Sequence, residues 1–215
     1  MNDERTRQLV DRIVAVRPTE TNEERLVGLT LYRLLAKGSP ITAADLAEAL
    51  SLTPDEAAWM IDLFADFLQR NEDGEVVGFG GLSVVPTEHA FNIPGVNLYT
   101  WCAWDTLFIP EIIGKTAEVV SQSPVTGRTI KLTISPDGIT SADPEGTALS
   151  LVVPDLDDLR QDVRASFCGR VHFFGSIDEA REWARARPGA YVATLEQADR
   201  LGRLKNAAQF GNLRS

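Results

Sequence analysis

Apolar residues recur at helical spacing through the first third of the chain and at alternating spacing through much of the remainder. Leu9, Ile13 and Val16 make one stripe within residues 1–20, which predicts a short amphipathic helix ending near Pro18. Thr21 or Asn22 is placed to cap a second helix carrying Leu26, Leu29, Leu31, Leu34 and Leu35 and stopping at Lys37-Gly38. Thr42-Ala-Ala-Asp45 has the form of a capping box and opens a short helix to Leu50. Thr53-Pro54-Asp55-Glu56 combines a cap, a proline at the first helical position and acids at the positive end of the helix dipole. The helix it opens is predicted to bury Trp59, Ile61, Leu63, Phe64 and Phe67. Asp73-Gly74, between Arg70 and the apolar run Val76-Val77-Gly78-Phe79, is a hairpin signal.

From about residue 81 the period shortens. Leu82–Pro86 and His89–Asn92 read as short strands, followed by Ala117–Gln122, Arg128–Ile134, Gly138–Ser141 and Thr147–Val153. Arg128-Thr-Ile-Lys-Leu-Thr-Ile134 alternates as a strand with one solvated face should. A helix over Asp155–Arg164, a strand over Ala165–Phe174, a helix opened by Ser176-Ile-Asp-Glu179, a strand at Tyr191–Leu195 and a helix from Glu196 to about Phe210 complete the chain. The class is α+β: a helical front of about residues 1–80 and a mostly antiparallel sheet with flanking helices over 81–215.

Three helices and a hairpin are the order of a winged helix-turn-helix, whose third helix often reads the major groove of DNA. Here that helix carries Asp55, Glu56, Asp62 and Asp66 with no basic residue before Arg70, so it would repel phosphates. The formal charge of −10 points the same way, and a scaffold role is the better expectation. No apolar run is long enough to span a bilayer, and the charged start Met-Asn-Asp-Glu-Arg lacks a secretory apolar core. Two cysteines make no disulfide framework, so a reducing, cytoplasmic setting is expected.

Those two thiols carry the candidate chemistry. Cys102 lies in Leu98-Tyr-Thr-Trp-Cys-Ala-Trp-Asp-Thr-Leu-Phe-Ile-Pro110, and Cys168 in Ser166-Phe-Cys-Gly-Arg-Val-His-Phe-Phe174. If the first segment is helical, Cys102 and Asp105 share a face. Either cysteine is also explained as a small buried hydrophobe, and Asp105 as a surface or hydrogen-bonded acid. An Asp105 held among Trp104, Leu107 and Phe108 would have a raised pKa and suit proton transfer. Cys168 and His172, four apart in the expected strand, would face one side, which leaves open a zinc site of Cys102, Asp105, Cys168 and His172. Arg164 and Arg170 bracket Cys168 and would favour its thiolate. His89 has no partner visible in the sequence, and Ser121, Ser123 and Thr126 offer no serine triad. Gly78-Phe-Gly80-Gly81 lacks the context of a phosphate loop.

The two cysteine segments, Leu98–Leu107 and Val163–Phe174, resemble the signature segments of organomercurial (alkylmercury) lyases. The similarity continues through Gly114-Lys-Thr-Ala117, Thr126-Gly127, Thr133-Ile-Ser-Pro136, Ser150–Pro154 and Leu35-Ala-Lys-Gly38. The resemblance implies protonolysis of a carbon–mercury bond, giving a hydrocarbon and Hg(II). It maps the family's catalytic cysteines onto Cys102 and Cys168 and its aspartate onto Asp105, with all three holding product Hg(II). It implies no protein-bound cofactor, low-molecular-weight thiols to release the metal, and a mercuric reductase as a candidate acceptor. Trp101 and Phe167 are candidates for shielding the organic group. Further cysteines found in some family members are replaced here by Ser123 and Gly169. A non-enzymatic thiol metal binder and a metal-responsive winged-helix regulator are the alternative readings.

Overall fold

The computed structural model describes residues 3–15, 21–211 and 213; Val16 and Pro18, and with them the expected end of the first helix, lie outside that range. Four helices open the chain: α1 (Asp3–Ala15), α2 (Asn22–Leu35), α3 (Ala43–Leu50) and α4 (Pro54–Asp62). Three begin at reciprocal capping boxes, Thr21 with Glu24, Thr42 with Asp45 and Thr53 with Glu56, which satisfy amide groups the first helical turn leaves without partners. The α4 prediction needs one correction. Trp59 is 61% exposed and Leu63 38% exposed, while Ala57, Ile61, Phe64 and Phe67 face the core. The helix stops at Asp62 and a 3-10 turn carries Phe67 inward, so the apolar face is that of Ala57 and Ile61, and Trp59 points away from it.

An eight-stranded sheet follows, built from β1 (Leu68–Arg70), β2 (Val76–Phe79), β3 (Leu82–Ser83), β4 (His89–Ile93), β5 (Val96–Thr100), β6 (Ala117–Gln122), β7 (Thr129–Ser135) and β8 (Gly138–Asp143). Its order is β1-β2-β3-β5-β4-β6-β7-β8, with every neighbouring pair antiparallel. The hairpin strands β1 and β2 thus extend the same sheet that runs on past residue 81. β6 and β7 bury every second residue, as their alternation predicted. β5, read from sequence as part of the Cys102 segment, is a strand paired with β4 from Val96↔Ile93 to Thr100↔His89.

A second sheet, ordered β10-β9-β11, has the fully buried β9 (Ala148–Val152) at its centre. Its flanks are β10 (Phe173–Phe174) and β11 (Ala190–Thr194). Helix α5 (Asp105–Ile113) is buried along most of its length, because α9 (Leu195–Phe210) packs against it. Gly202 permits that approach: a Cβ there would lie 2.7 Å from Cβ of Phe108. The short helices α6 (Leu156–Gln161) and α7 (Val163–Ser166) and the surface helix α8 (Ile177–Arg185) complete the chain. One continuous core cluster runs from Leu9 and Leu31 through Trp104 and Phe108 to Leu201 and Phe210. Among the described residues no helix is long and apolar enough to cross a membrane.

Candidate active site

The chain turns sharply between β5 and α5, and Cys102 sits in that turn rather than in a helix. Trp101 N–H donates to the Gly81 carbonyl (2.8 Å), and Thr100 Oγ1 donates to the Cys102 carbonyl (3.0 Å). Asp105, the first residue of α5, reaches back so that its Oδ2 accepts the Cys102 N–H at 3.0 Å. The predicted juxtaposition of Cys102 and Asp105 is therefore present, but a backward side-chain bond at the helix start produces it. Gly81 makes room for the carboxylate. Its φ is +106°, and a Cβ there would fall 2.4 Å from Asp105 Cγ.

The second cysteine arrives differently. The strand expected over Ala165–Phe174 is absent; the segment is α7, a 3-10 turn over Cys168–Arg170, and only then β10. Asp162 caps α7 through the Arg164 and Ala165 amides, and this local bonding outcompetes an extended backbone. Ser150 of β9 anchors the turn, since its Oγ donates to the Arg170 carbonyl (2.9 Å) and accepts the His172 N–H (3.0 Å). A backbone bond ties the two cysteine segments together: Ala103 N–H donates to the Val171 carbonyl at 3.3 Å.

The result is a buried cluster in which the donor atoms of Cys102, Asp105 and Cys168 all lie within 4.8 Å of one another. Exposure is 0% for Cys102, 5% for Asp105 and 6% for Cys168. Burial pushes the Cys102 thiol well above its ordinary pKa, helped by a hydrogen bond with Cys168 and the nearby Asp105 charge, so Cys102 rests as a neutral thiol. Cys168 and Asp105 line a narrow apolar pocket, with Trp101, Trp104, Phe108 and Phe167 among its walls. Trp104 is locked by a bond from Nε1 to the Ala198 carbonyl (3.0 Å) and stacks edge-on with Phe108 and Phe167.

His172 stands outside the cluster. Its Nε2 meets the Gly169 carbonyl at 3.1 Å and its ring packs on Trp183, so the four-ligand zinc set loses a member. Neither arginine sits on a thiol: the Arg164 guanidinium lies 5.6 Å from the Trp101 ring centroid, and Arg170 donates to the Pro188 carbonyl (2.7 Å). His89 is buried, with Nδ1 2.8 Å from Ser121 Oγ, and burial lowers its pKa to about 4. Ser123 and Thr126 both donate to Glu179, a clasp between the turn after β6 and α8. Sequence reasoning missed Gly81, whose sign was a glycine pair just ahead of a strand, and Lys205. Lys205 lies in the pocket wall on the buried face of α9, one helical turn beyond Leu201.

The comparisons with known proteins agree with this geometry. The family model for alkylmercury lyases matches residues 82–205. An alkylmercury lyase of Pseudomonas putida is 40% identical over 176 residues, covering 82% of this chain and 81% of its own. One from Staphylococcus epidermidis is 37% identical over 173 residues, covering 80% of this chain and 78% of its own. The fold is similar to the crystal structure of the mercury-bound form of MerB2, with a TM-score of 0.77 at 23% identity, covering 95% of this chain and 99% of that one. The match over the sheet-and-helix region that builds the thiol–carboxylate cluster, together with these relatives, places the chain in the alkylmercury lyase family.

Proposed function

We propose that the protein cleaves the carbon–mercury bond of organomercurials by protonolysis, with Cys102 and Cys168 as mercury ligands and Asp105 as proton carrier. One observation carries this reading: two thiols and a carboxylate converge within 4.8 Å at the base of an apolar pocket. Mercury is soft and takes thiolates, whereas a carboxylate is the acid–base group of the set.

Cys168 lines the pocket and Cys102 lies beneath it, so an entering R–Hg–X meets Cys168 first. Its sulfur replaces X on mercury, and its proton leaves with X as HX. Cys102 then bonds the same mercury and loses its proton to Asp105, which already accepts the Cys102 amide and so is held beside that residue. Two sulfur donors push electron density into mercury and make the bound carbon more basic. The protonated Asp105 delivers the proton to that carbon, the Hg–C electron pair forms the new C–H bond, and R–H departs. The sum is R–Hg–X plus two thiols giving R–H, HX and Hg(II) bound by two thiolates. Trp101 and Phe167 shield the organic group, and the dry walls strengthen every charge interaction inside.

Low-molecular-weight thiols then exchange Hg(II) away, towards an acceptor such as a mercuric reductase. Residues 81–215 carry the chemistry in this account. Residues 1–80 act as a winged-helix-like scaffold whose Tyr32 hydroxyl donates to the Gly80 carbonyl (2.7 Å), beside the glycine that seats Asp105. The exposed acids of α4 fit a scaffold better than a DNA reader. The test is turnover of phenylmercury with excess small thiol, read as benzene. Many equivalents of benzene from the wild type, and none from Cys102→Ser or Cys168→Ser, are expected. Stoichiometric mercury binding without benzene would leave a thiol-based metal binder in place of an enzyme.

A further inference from the structure

The thiol pair specifies a ligand more narrowly than softness alone. Among the described residues the cluster offers two thiols and one carboxylate, with donor atoms within 4.8 Å of one another, while His172 stands apart. A four-coordinate metal such as zinc would lack its fourth protein ligand here. Cys102 and Cys168 hydrogen-bond to each other, so both sulfurs can reach a single atom placed between them. Both are buried, and the walls beside them are the rings of Trp101, Trp104, Phe108 and Phe167. The arrangement suits an atom that takes two sulfurs, brings an apolar substituent of its own and ends neutral.

Trivalent arsenic carrying one organic group has all three properties, and soft thiolates suit it as they suit mercury. We propose that the Cys102–Cys168 pair also captures monosubstituted arsenic(III) compounds, R–As(OH)2, as a stable adduct that blocks the site and keeps its organic group. The proposal rests on the two-thiol capture reading above. Each sulfur bonds to arsenic as one As–OH bond breaks, and each hydroxide leaves as water with that thiol's proton. The sum is R–As(OH)2 plus two thiols giving a neutral R–As bis-thiolate and two waters, with no change of oxidation state. A neutral adduct suits an apolar pocket, where an uncompensated charge is strongly disfavoured. The proton count separates arsenic from mercury. R–Hg–X brings one leaving group, so one of the two thiol protons stays behind on Asp105 for the carbon. R–As(OH)2 brings two leaving groups that carry off both protons. Capture then leaves Asp105 no proton to deliver, and the carbon–arsenic bond persists.

The test is addition of phenylarsine oxide, which hydrates to the R–As(OH)2 form, to wild type freed of small thiols. One equivalent should protect both cysteines from a thiol-counting disulfide reagent. The intact mass should rise by one phenylarsenic unit less two hydrogens, and no benzene should appear. Phenylarsonic acid, whose arsenic is pentavalent, should leave both cysteines reactive. Cys102→Ser and Cys168→Ser each retain one arsenic–sulfur bond and should bind at least about 100-fold more weakly, because the second bond in wild type forms within one molecule. An excess of a small dithiol should regenerate both cysteines far more completely than a monothiol at the same thiol concentration. Protection of one cysteine per arsenic, or undiminished affinity in the serine variants, overturns the bridged adduct. Benzene released from the arsenical overturns the blocked state, and a wild type that binds no arsenical overturns both. If one serine variant does not fold, the other is read in the same way. None of these readouts needs mercury turnover, so a wild type that makes no benzene from phenylmercury would refute the lyase reading while the thiol count still judges the arsenical.

Discussion

The two thiols reach one site from contrasting structural settings. Cys102 is fixed at the junction of a sheet strand and a buried helix, with its amide and carbonyl both bonded to side chains and its neighbours' backbone tied to Gly81 and Val171. Cys168 rides on a 3-10 turn between two short elements, held mainly through Ser150. The first setting is rigid and dry and keeps its thiol neutral, whereas the second opens onto the pocket. The difference teaches how a site can capture a bulky soft cation yet still protect a proton transfer: one ligand is accessible, and the other is buried beside the acid.

The comparison is broken most severely at Gly81. Gly81→Ala forces a Cβ onto the Asp105 carboxylate from a backbone with φ of +106°. Displacing the proton carrier by even about 1 Å should cost on the order of 100-fold in hydrocarbon release. Mercury binding by the two thiols should persist, and a fall in binding equal to the fall in turnover would contradict the account. A second prediction sharpens the contrast between the thiols. In the resting protein a small thiol reagent should modify Cys168 at least about tenfold faster than Cys102, read by mass spectrometry of peptides, because the buried neutral thiol is a poor nucleophile. Equal rates would erase the proposed order of capture.

Ser150→Ala tests the weaker arm. It removes a donor to the Arg170 carbonyl and an acceptor of the His172 amide, at a cost of about 1–3 kcal/mol for groups left without partners. Stability should drop by that amount in urea unfolding, with a larger KM for phenylmercury and a smaller effect on single-turnover bond cleavage. The smallest effect concerns pH. Cys102 has a raised pKa in the fold, so the unfolded chain ionises first as pH climbs past the ordinary value of 9.0. Its contribution is fully present below that pH and is lost above it, at up to about 1.4 kcal/mol per pH unit. Cys102→Ala should flatten the alkaline arm of the stability profile relative to wild type, and an unchanged arm would show that the thiol is not held neutral.

Much of this architecture was legible from local chemistry. Capping boxes at Thr21, Thr42 and Thr53 set three helix starts, and alternation in β6 and β7 set two strands, because these signals are satisfied within a few residues. The Cys102–Asp105 pairing was visible as a spacing, although the bond that makes it belongs to a turn. The failures share a cause. Cys168 was placed on a strand because its neighbours are apolar and aromatic, yet the cap at Asp162 and the distant anchor at Ser150 decide its backbone. Trp59 is large and apolar, which suggests burial, but it lies on the face of α4 opposite the buried Ala57 and Ile61. Lys205 passed as an ordinary helix residue, since only the packing of Gly202 on Phe108 reveals that its face of α9 is buried. Packing between distant segments, which local pattern does not carry, settles the backbone of Cys168 and the burial of Lys205.

The central claim is that Asp105 moves the proton that breaks the carbon–mercury bond, and the direct measurement is a single turnover of methylmercury with stoichiometric enzyme. Asp105→Asn keeps an oxygen able to accept the Cys102 amide, so the turn that holds Cys102 should survive. The account predicts that wild type releases one equivalent of methane, whereas Asp105→Asn captures methylmercury and releases methane at least about 100-fold more slowly, the scale of a lost general acid. Methane release by Asp105→Asn at the wild-type rate would contradict the account and assign the proton to another group.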